Sequence, residues 1–405
     1  MKPFGTWPSD ISAEMITRAA PGLNHLQSSG DALFWVESRP WEAGRNVIMC
    51  QTPDGVIKDL LPARFSCNSK VHEYGGMAYT VANQKLYFVN ALDQRIYQLD
   101  LGSSTSPSPI SPEGAFHFAD IIVDTTNQRL IAVCEHHLDG QEPNNYIAGI
   151  ALDQKHPEID ALVTGSDFYA YPRLSPDNST ICWIEWQHPN MPWDNTQLWQ
   201  ASVSGNNLTN RCLVAGENQD EAIFQPQWSP DNLLYFVSDS DNWWNICRLS
   251  EGHRETVLLM DAEFATPLWQ LGASTYHFID NQTIGCTWTK SGVWSAGFID
   301  IPTQTLGKID SHYSSMHSIC THHGHLFMMA GAPRLSTELI SFSTDKQLTR
   351  VYAPASLPVN VRELSTPESV LFPSADNQRV HAFFYPPTNA HFRGSDQELP
   401  LVIAI

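Results

Sequence analysis

The stretch from Phe168 to Leu249 carries one pattern twice, and that repetition limits what the chain can become. The first copy reads FYAYPRLSPDNSTICWIEWQHPNMPWDNTQLWQASV and the second IFQPQWSPDNLLYFVSDSDNWWNICRL. Each has a short strand-like run and then Ser-Pro-Asp-Asn (Ser175 to Asn178, Ser229 to Asn232). An apolar run and a polar loop follow, then a further run carrying Leu198-Trp199 or Asn245-Ile246. Proline presets the first turn position and Asp or Asn suits those after it, so Ser-Pro-Asp-Asn joins antiparallel neighbours. The β-branched and aromatic runs beside it, Thr180 to Trp186 and Leu233 to Val237, have the chemistry of strands. A four-stranded unit recurring every ~40–50 residues is the mark of a β-propeller blade.

The same rhythm extends in both directions. It predicts seven units, over 24–62, 71–113, 116–165, 168–216, 221–261, 264–310 and 313–354, closing a ring over 24–355. Residues 1–23 lie outside it. There Ser9 to Ala20 predicts one short helix, with Ile11, Met15 and Ile16 on a face and Pro21-Gly22 ending it. Residues 361–405 break the rhythm again, with a few strands and long Pro-rich joins. They finish on LPLVIAI, a continuous apolar run of the kind buried on both faces of an α/β sheet.

Composition agrees with an all-β chain. Aromatics make up 11%, including 13 Trp, against only 16% charged residues, which suits wide packing between sheets and argues against disorder. Lys+Arg 23 against Asp+Glu 43 gives −20, a balance that disfavours nucleic acid and anionic membranes as partners. The 8 cysteines include no C-x-x-C pair, and Cys134, Cys182 and Cys286 sit inside apolar runs where a reduced thiol acts as a small hydrophobe. The N-terminal MKPFGTWPSDISAEM has no apolar signal core, and no run is long enough to span a bilayer. The expectation is a cytoplasmic protein with no cofactor.

Several pieces together resemble the prolyl oligopeptidase family of serine peptidases, in its dipeptidyl and acylaminoacyl peptidase branch. They are GTWPSDISAEM (5–15), VHEYGGMAY (71–79), DFYAYPRLSPD (167–177), HPNMPWDNTQLW (188–199), FQPQWSPD (224–231) and HAFFYPP (381–387). Met77 stands where the second piece usually has a third glycine. The resemblance implies an all-β, seven-bladed propeller with four-stranded blades, followed by the first strands of a truncated α/β-hydrolase domain at 361–405. In that family LPLVIAI leads into an oxyanion-hole loop, and a G-x-S-x-G nucleophile elbow follows, then Asp and His. No G-x-S-x-G occurs in this sequence; Gly272-Ala273-Ser274-Thr275-Tyr276 lacks the second glycine and falls in a blade. No catalytic residue is therefore assigned, and the chain alone is expected to be inactive.

The resemblance implies a substrate gate and size filter over a peptidase active site, with peptide as the partner. A stand-alone propeller that binds peptide or protein without catalysis is the alternative. Leu401, Val402, Ile403 and Ile405 are expected to form a core strand, unpaired here, through which copies of the chain could associate.

Relatives of the dipeptidyl type hold the substrate's amino terminus with adjacent glutamates, and this chain has no Glu-Glu. Glu73, Glu142 and Glu185 are the single glutamates that could reach a central mouth, and Tyr74 could lie against a ligand. The competing reading makes them turn or surface residues, with Gly75-Gly76 a strand lead-in of close backbone packing. Glu135-His136-His137 and His322-His323-Gly324-His325 show none of the spacings of known zinc sites, and no metal site is assigned. The second reads as a hairpin turn. His188 to Asp194 is a rigid Pro-rich loop that either faces a following domain or braces its blade.

Overall fold

The computed structural model describes residues 2–18, 20–152, 158–217, 220–354 and 359–394. It contains seven four-stranded antiparallel sheets and one two-stranded sheet. The seven are propeller blades, each built from consecutive strands. They run from Gly22–Ser29 to Ile57–Asp59, Tyr79–Ala82 to Ser108–Pro109, and Phe116–Asp124 to Ile159–Val163. Next come Phe168–Leu174 to Asn207–Ala215 and Ile223–Trp228 to His253–Thr256. The last two are Tyr276–Phe278 to Thr305–Lys308 and Ser315–His322 to Leu348–Tyr352.

Strand alternation gives the ring two unlike faces. Turns joining first to second and third to fourth strands lie on one, here the turn face. Loops from second to third strands, and from one blade to the next, lie on the other, the loop face. On the turn face, Asn178 and Asn232 take φ of 57° and 65°, the left-handed position that closes each Ser-Pro-Asp-Asn turn. The Ser175 and Ser229 hydroxyls accept the N–H of Thr180 (3.0 Å) and Leu233 (3.0 Å) respectively. His323 and Gly324 (φ 47° and 74°) form the two-residue turn expected between the first strands of blade 7, where His322 pairs with His325.

Large side chains fill the spaces between blades. Trp35, Trp183, Tyr79, Tyr169, Tyr171, Tyr235 and Tyr276 are fully buried, each removing roughly 150–250 Å² from water. The ring closes between blades 7 and 1 through side chains rather than a shared sheet. Tyr352 donates to Glu37 at 2.6 Å and Ser28 to the Thr321 carbonyl at 2.9 Å, and Trp35 lies 5.3 Å from the Tyr352 ring.

The innermost strands are irregular in a patterned way. In blades 1, 3, 4, 5 and 7 the register shifts within the first strand, and His25, Asp120, Tyr171, Gln225 and Ser318 take positive φ there. Blades 2 and 6 show no such shift and have short first strands, Tyr79–Ala82 and Tyr276–Phe278. Their lead-ins instead meet across the ring. Gly76 forms a parallel bridge with Leu271, the Met77 N–H donates to the Leu271 carbonyl (2.9 Å), and the Leu271 N–H to the Gly75 carbonyl (2.9 Å). Blades 2 and 6 are not neighbours, so this clasp spans the central channel. The sequence reading placed a strand lead-in at Gly75-Gly76. The close backbone approach is there, but it serves the clasp, and the strand starts only at Tyr79.

Gly75 and Gly76 are required at this crossing. Their φ values are +65° and +130°, and a Cβ on either would run into the backbone of Ser69 or Leu271. The Tyr171 hydroxyl adds a second tie, donating to the Ala273 carbonyl at 2.7 Å.

The segments outside the ring lie on the loop face. The N-terminal helix, expected over 9–20, occupies Ala13–Arg18, with the Ser12 hydroxyl accepting the Met15 N–H at 3.1 Å. A hairpin of Glu368–Pro373 and Arg379–Phe384 turns at Ser374 to Asn377, and Asn377 has φ 65°. Arg334, between the second and third strands of blade 7, donates to the Leu364 carbonyl at 3.1 Å. The Asn389 amide donates to Glu363 at 2.8 Å and to the Pro8 carbonyl at 3.4 Å, tying the two ends together. Among the described residues this hairpin is the only sheet after the ring, and no α/β-hydrolase layer is present. LPLVIAI, with Leu401, Val402, Ile403 and Ile405, lies outside the described residues. Among the described residues no helix is long and apolar enough to cross a membrane.

Candidate functional site

A cavity of about 400 Å³ opens on the loop face. Its walls come from the lead-in to blade 2, the loops inside blades 3 and 4, and the lead-in to blade 6. The geometry follows from the fold: the clasp brings residues 72–74 against 268–269, and the adjacent blades 3 and 4 supply the opposite wall.

One wall is aromatic. Phe168 and Trp186 are directly opposite each other in blade 4, and their rings stack at 5.2 Å. His72 meets both edge-on, at 5.1 and 5.5 Å. Burial pulls the His72 imidazole down to a pKa of about 4, against a smaller upward pull from Glu135, so the ring is neutral near pH 7. Across the mouth, Tyr74 packs on Trp269 (4.9 Å), which packs on Trp193 (4.6 Å). Tyr74 and Trp269 remain 56% and 47% exposed, an apolar pair left open to a ligand rather than spent on the core.

The polar groups converge from separate elements. Glu73 and Glu142 line the cavity with exposed side chains, so two of the glutamates singled out in the sequence come together with Tyr74. Glu73 is held on a turn with φ of 65°, its N–H donating to the Lys70 carbonyl at 3.0 Å. Glu185 does not join them. It points to the other side of its strand from Trp186, buried, and accepts from Trp183 (2.8 Å), Ser166 (2.9 Å) and Arg211 (2.6 Å). That network braces blade 4 and, with the side chain buried, keeps both carboxylate oxygens turned inward.

Glu135, which the sequence offers only as part of a histidine string without zinc spacing, joins the cavity as well. Its Oε1 accepts the His72 N–H at 2.8 Å. Its Oε2 lies 3.1 Å from His137 Nε2 and 3.5 Å from His117 Nδ1. Burial pushes its carboxyl up, but His117, the His72 N–H and His137 more than offset this, leaving its pKa below the ordinary glutamate value. The signal was present as two strings far apart, Phe116-His117 and Glu135-His136-His137, joined only by strand pairing. The His322 to His325 string is a turn instead: His325 Nδ1 lies 3.0 Å from the His323 carbonyl and His323 faces Asp31 at 3.3 Å.

The Pro-rich loop after blade 4's second strand contributes His188, Asn190, Met191 and Pro192 to the cavity. The His188 ring meets Phe168 edge-on at 4.9 Å. Below the clasp lies a second space of about 300 Å³ in the channel, bordered by Met77, Gly272, Tyr171 and Arg173. Arg173 is neutralised there by Asp120 at 2.8 Å. Ser274, the serine of the incomplete elbow string, bonds the Ile319 backbone in both directions (3.0 and 2.9 Å) and is structural.

Among solved structures, the chain is similar to a Mycobacterium tuberculosis puromycin-hydrolysing peptidase. The identity is 30% and the TM-score 0.90, covering 99% of this chain and 64% of that one. A puromycin hydrolase matches with 26% identity and TM-score 0.92 over the same shares. Prolyl oligopeptidase B from Galerina marginata shares the fold at 9% identity and TM-score 0.68, covering 91% of this chain and 56% of its own. The chain thus spans just under two thirds of the length of the puromycin-hydrolysing structures. No protein-family model matches the sequence, and no curated protein matches it.

Proposed function

We infer, from a chain that carries the N-terminal propeller of the prolyl oligopeptidase family, that it admits and positions short peptides for a serine peptidase. The observation that carries this reading is the placement of the cavity. It opens on the loop face, where residues 359–394 also lie. An α/β-hydrolase domain continuing from 361–405 would cover that face and bring its nucleophile over the cavity. The hairpin supports this: Leu371, Phe372, Val380 and Phe383 are exposed on a two-stranded sheet, an arrangement that a larger domain packed against it would stabilise.

The cavity chemistry points to the amino-terminal part of the substrate. Glu73 and Glu142 attract an ammonium group, while Tyr74, Trp269 and the Phe168–Trp186 pair take apolar or aromatic side chains. These separated glutamates would replace the adjacent pair of the dipeptidyl-type relatives. With the channel crossed by the clasp, substrates would enter along the loop face, and the gap beneath the hydrolase domain would set the size limit. The sequence holds no nucleophile elbow, so the chain binds and does not turn over by itself. Seven buried thiols used as small apolar residues fit the reducing cytoplasm.

Calorimetry with di- and tripeptides and with puromycin tests the reading on the 405-residue chain. Saturable binding is expected, lost on Trp269→Ala and weakened when the peptide amino group is acetylated. Equal affinity for the acetylated peptide would move the reading to the acylaminoacyl type. Absence of binding, or binding that survives Trp269→Ala with Tyr74→Ala, would refute it.

A further inference from the structure

We propose that His117, Glu135 and His137 form a site for one divalent transition-metal ion of the zinc class, set in the cavity wall. The three come together through register. His117 on the first strand of blade 3 is directly opposite Glu135 on the second. His137 follows Glu135 by two residues and returns to the same side, while the intervening His136 turns away to stack on Phe116 at 4.3 Å.

The spacing suits a metal. Two imidazole nitrogens and a carboxylate oxygen all lie within 4.8 Å of one another. Glu135 Oε2 is 3.1 Å from His137 Nε2 and 3.5 Å from His117 Nδ1. Donors held at ~2.0–2.2 Å from one ion stand roughly 3.0–3.5 Å apart, so two of the three edges already match. The third edge, His117 to His137, lies within 4.8 Å, and His137, the most exposed of the three at 34%, is the ring freest to adjust.

A second observation separates a metal site from a plain imidazole–carboxylate cluster. His117 Nδ1 is buried and has no hydrogen-bond partner. A hydrogen-bonded cluster explains the His137 contact at 3.1 Å but leaves this nitrogen 3.5 Å from Glu135 Oε2, electrostatically close yet without a properly formed hydrogen bond. An ion between the three groups satisfies it. The other Glu135 oxygen is fixed by the His72 N–H at 2.8 Å, the kind of outer support that orients metal-ligating carboxylates. Two histidines and one carboxylate on one side leave the remaining positions open, and Glu135 and His137 both line the cavity. Those positions therefore face whatever enters it, and a ligand carbonyl, carboxylate or amine can complete the shell. The site stands whatever that ligand proves to be.

Untagged, chelator-treated protein titrated with Zn²⁺ by calorimetry, and with Co²⁺ by visible absorption, tests the proposal. One equivalent is expected to bind. His137→Ala should weaken it about 100-fold or more, and Glu135→Gln about 10–100-fold. His137→Ala should keep the wild-type melting temperature because that ring is partly exposed, so a folding defect in His117→Ala would not obscure the result. His322→Ala with His323→Ala should change neither stoichiometry nor affinity. No saturable one-to-one binding, binding unaffected by His137→Ala and Glu135→Gln, or binding lost with the His322/His323 pair would overturn it.

Discussion

The turn face and the loop face are made by the same seven sheets, but they spend their residues differently. On the turn face the connections that repeat in the sequence are short and close on their own residues: Ser175 and Ser229 cap their own turns, and His323-Gly324 reverses a hairpin. On the loop face the partners are distant in sequence, as with Gly76 and Leu271, or His72 and Glu135. The two histidine-rich strings show the consequence. His322 to His325 is consumed by a local turn, whereas Glu135 and His137 are left pointing toward His117 on a neighbouring strand. Local turns tolerate change, and non-local crossings do not.

The sharpest way to break this contrast is a pair of glycine substitutions. Gly76→Ala places a Cβ in the Leu271 backbone at φ +130°, and should cost more than about 4 kcal/mol or prevent folding, read by chemical denaturation. Gly324→Ala at φ +74° meets nothing within 4 Å and should cost only about 1 kcal/mol. Equal losses would mean the clasp is not what makes the loop face unforgiving.

The next largest effect concerns acid. His72 titrates at about 4 in the folded chain against 6.5 ordinarily. The unfolded chain therefore takes up this proton first on acidification. The stability owed to the neutral ring is complete above pH 6.5 and is lost as pH falls toward 4. His25, drawn down to about 4 by burial and then by His317, acts in the same window. His72→Gln keeps the backbone N–H bonded to Glu135, so its melting temperature should fall less than wild type's across that window. Parallel curves for the two proteins would count against a buried neutral His72.

The smallest effect belongs to the turn face. Ser229→Ala removes a hydroxyl that serves Asp231 and Leu233 and should cost about 1 kcal/mol, with ligand binding in the cavity unchanged. Loss of binding in that variant would show that the two faces communicate.

These differences explain what could be read in advance. Blades were legible because Ser-Pro-Asp-Asn turns and alternating apolar runs are local signals, so the seven units and the His323-Gly324 turn followed from them. Glu73 and Glu142 were singled out as residues that could reach a central mouth and Tyr74 as one that could lie against a ligand, and the fold brings the three to one cavity. Glu185 misled because nothing within its own segment discloses Arg211, its partner from the blade's last strand. Glu135 was set aside with its own histidine string for the mirror-image reason: its further partner, His117, stands opposite on another strand, and only the pairing of Phe116–Asp124 with Arg129–His136 reveals it.

The bridge between Gly76 and Leu271 also changes how the ring can deform. A hoop closed only by side chains at one seam can spring open there, each blade sliding a little on the next. A spoke set across the hoop divides it into two arcs, blades 3 to 5 on one side and blades 7 and 1 on the other. Parting the Tyr352–Glu37 seam then loosens only the shorter arc, while the arc that carries the Phe168–Trp186 wall stays braced at both ends.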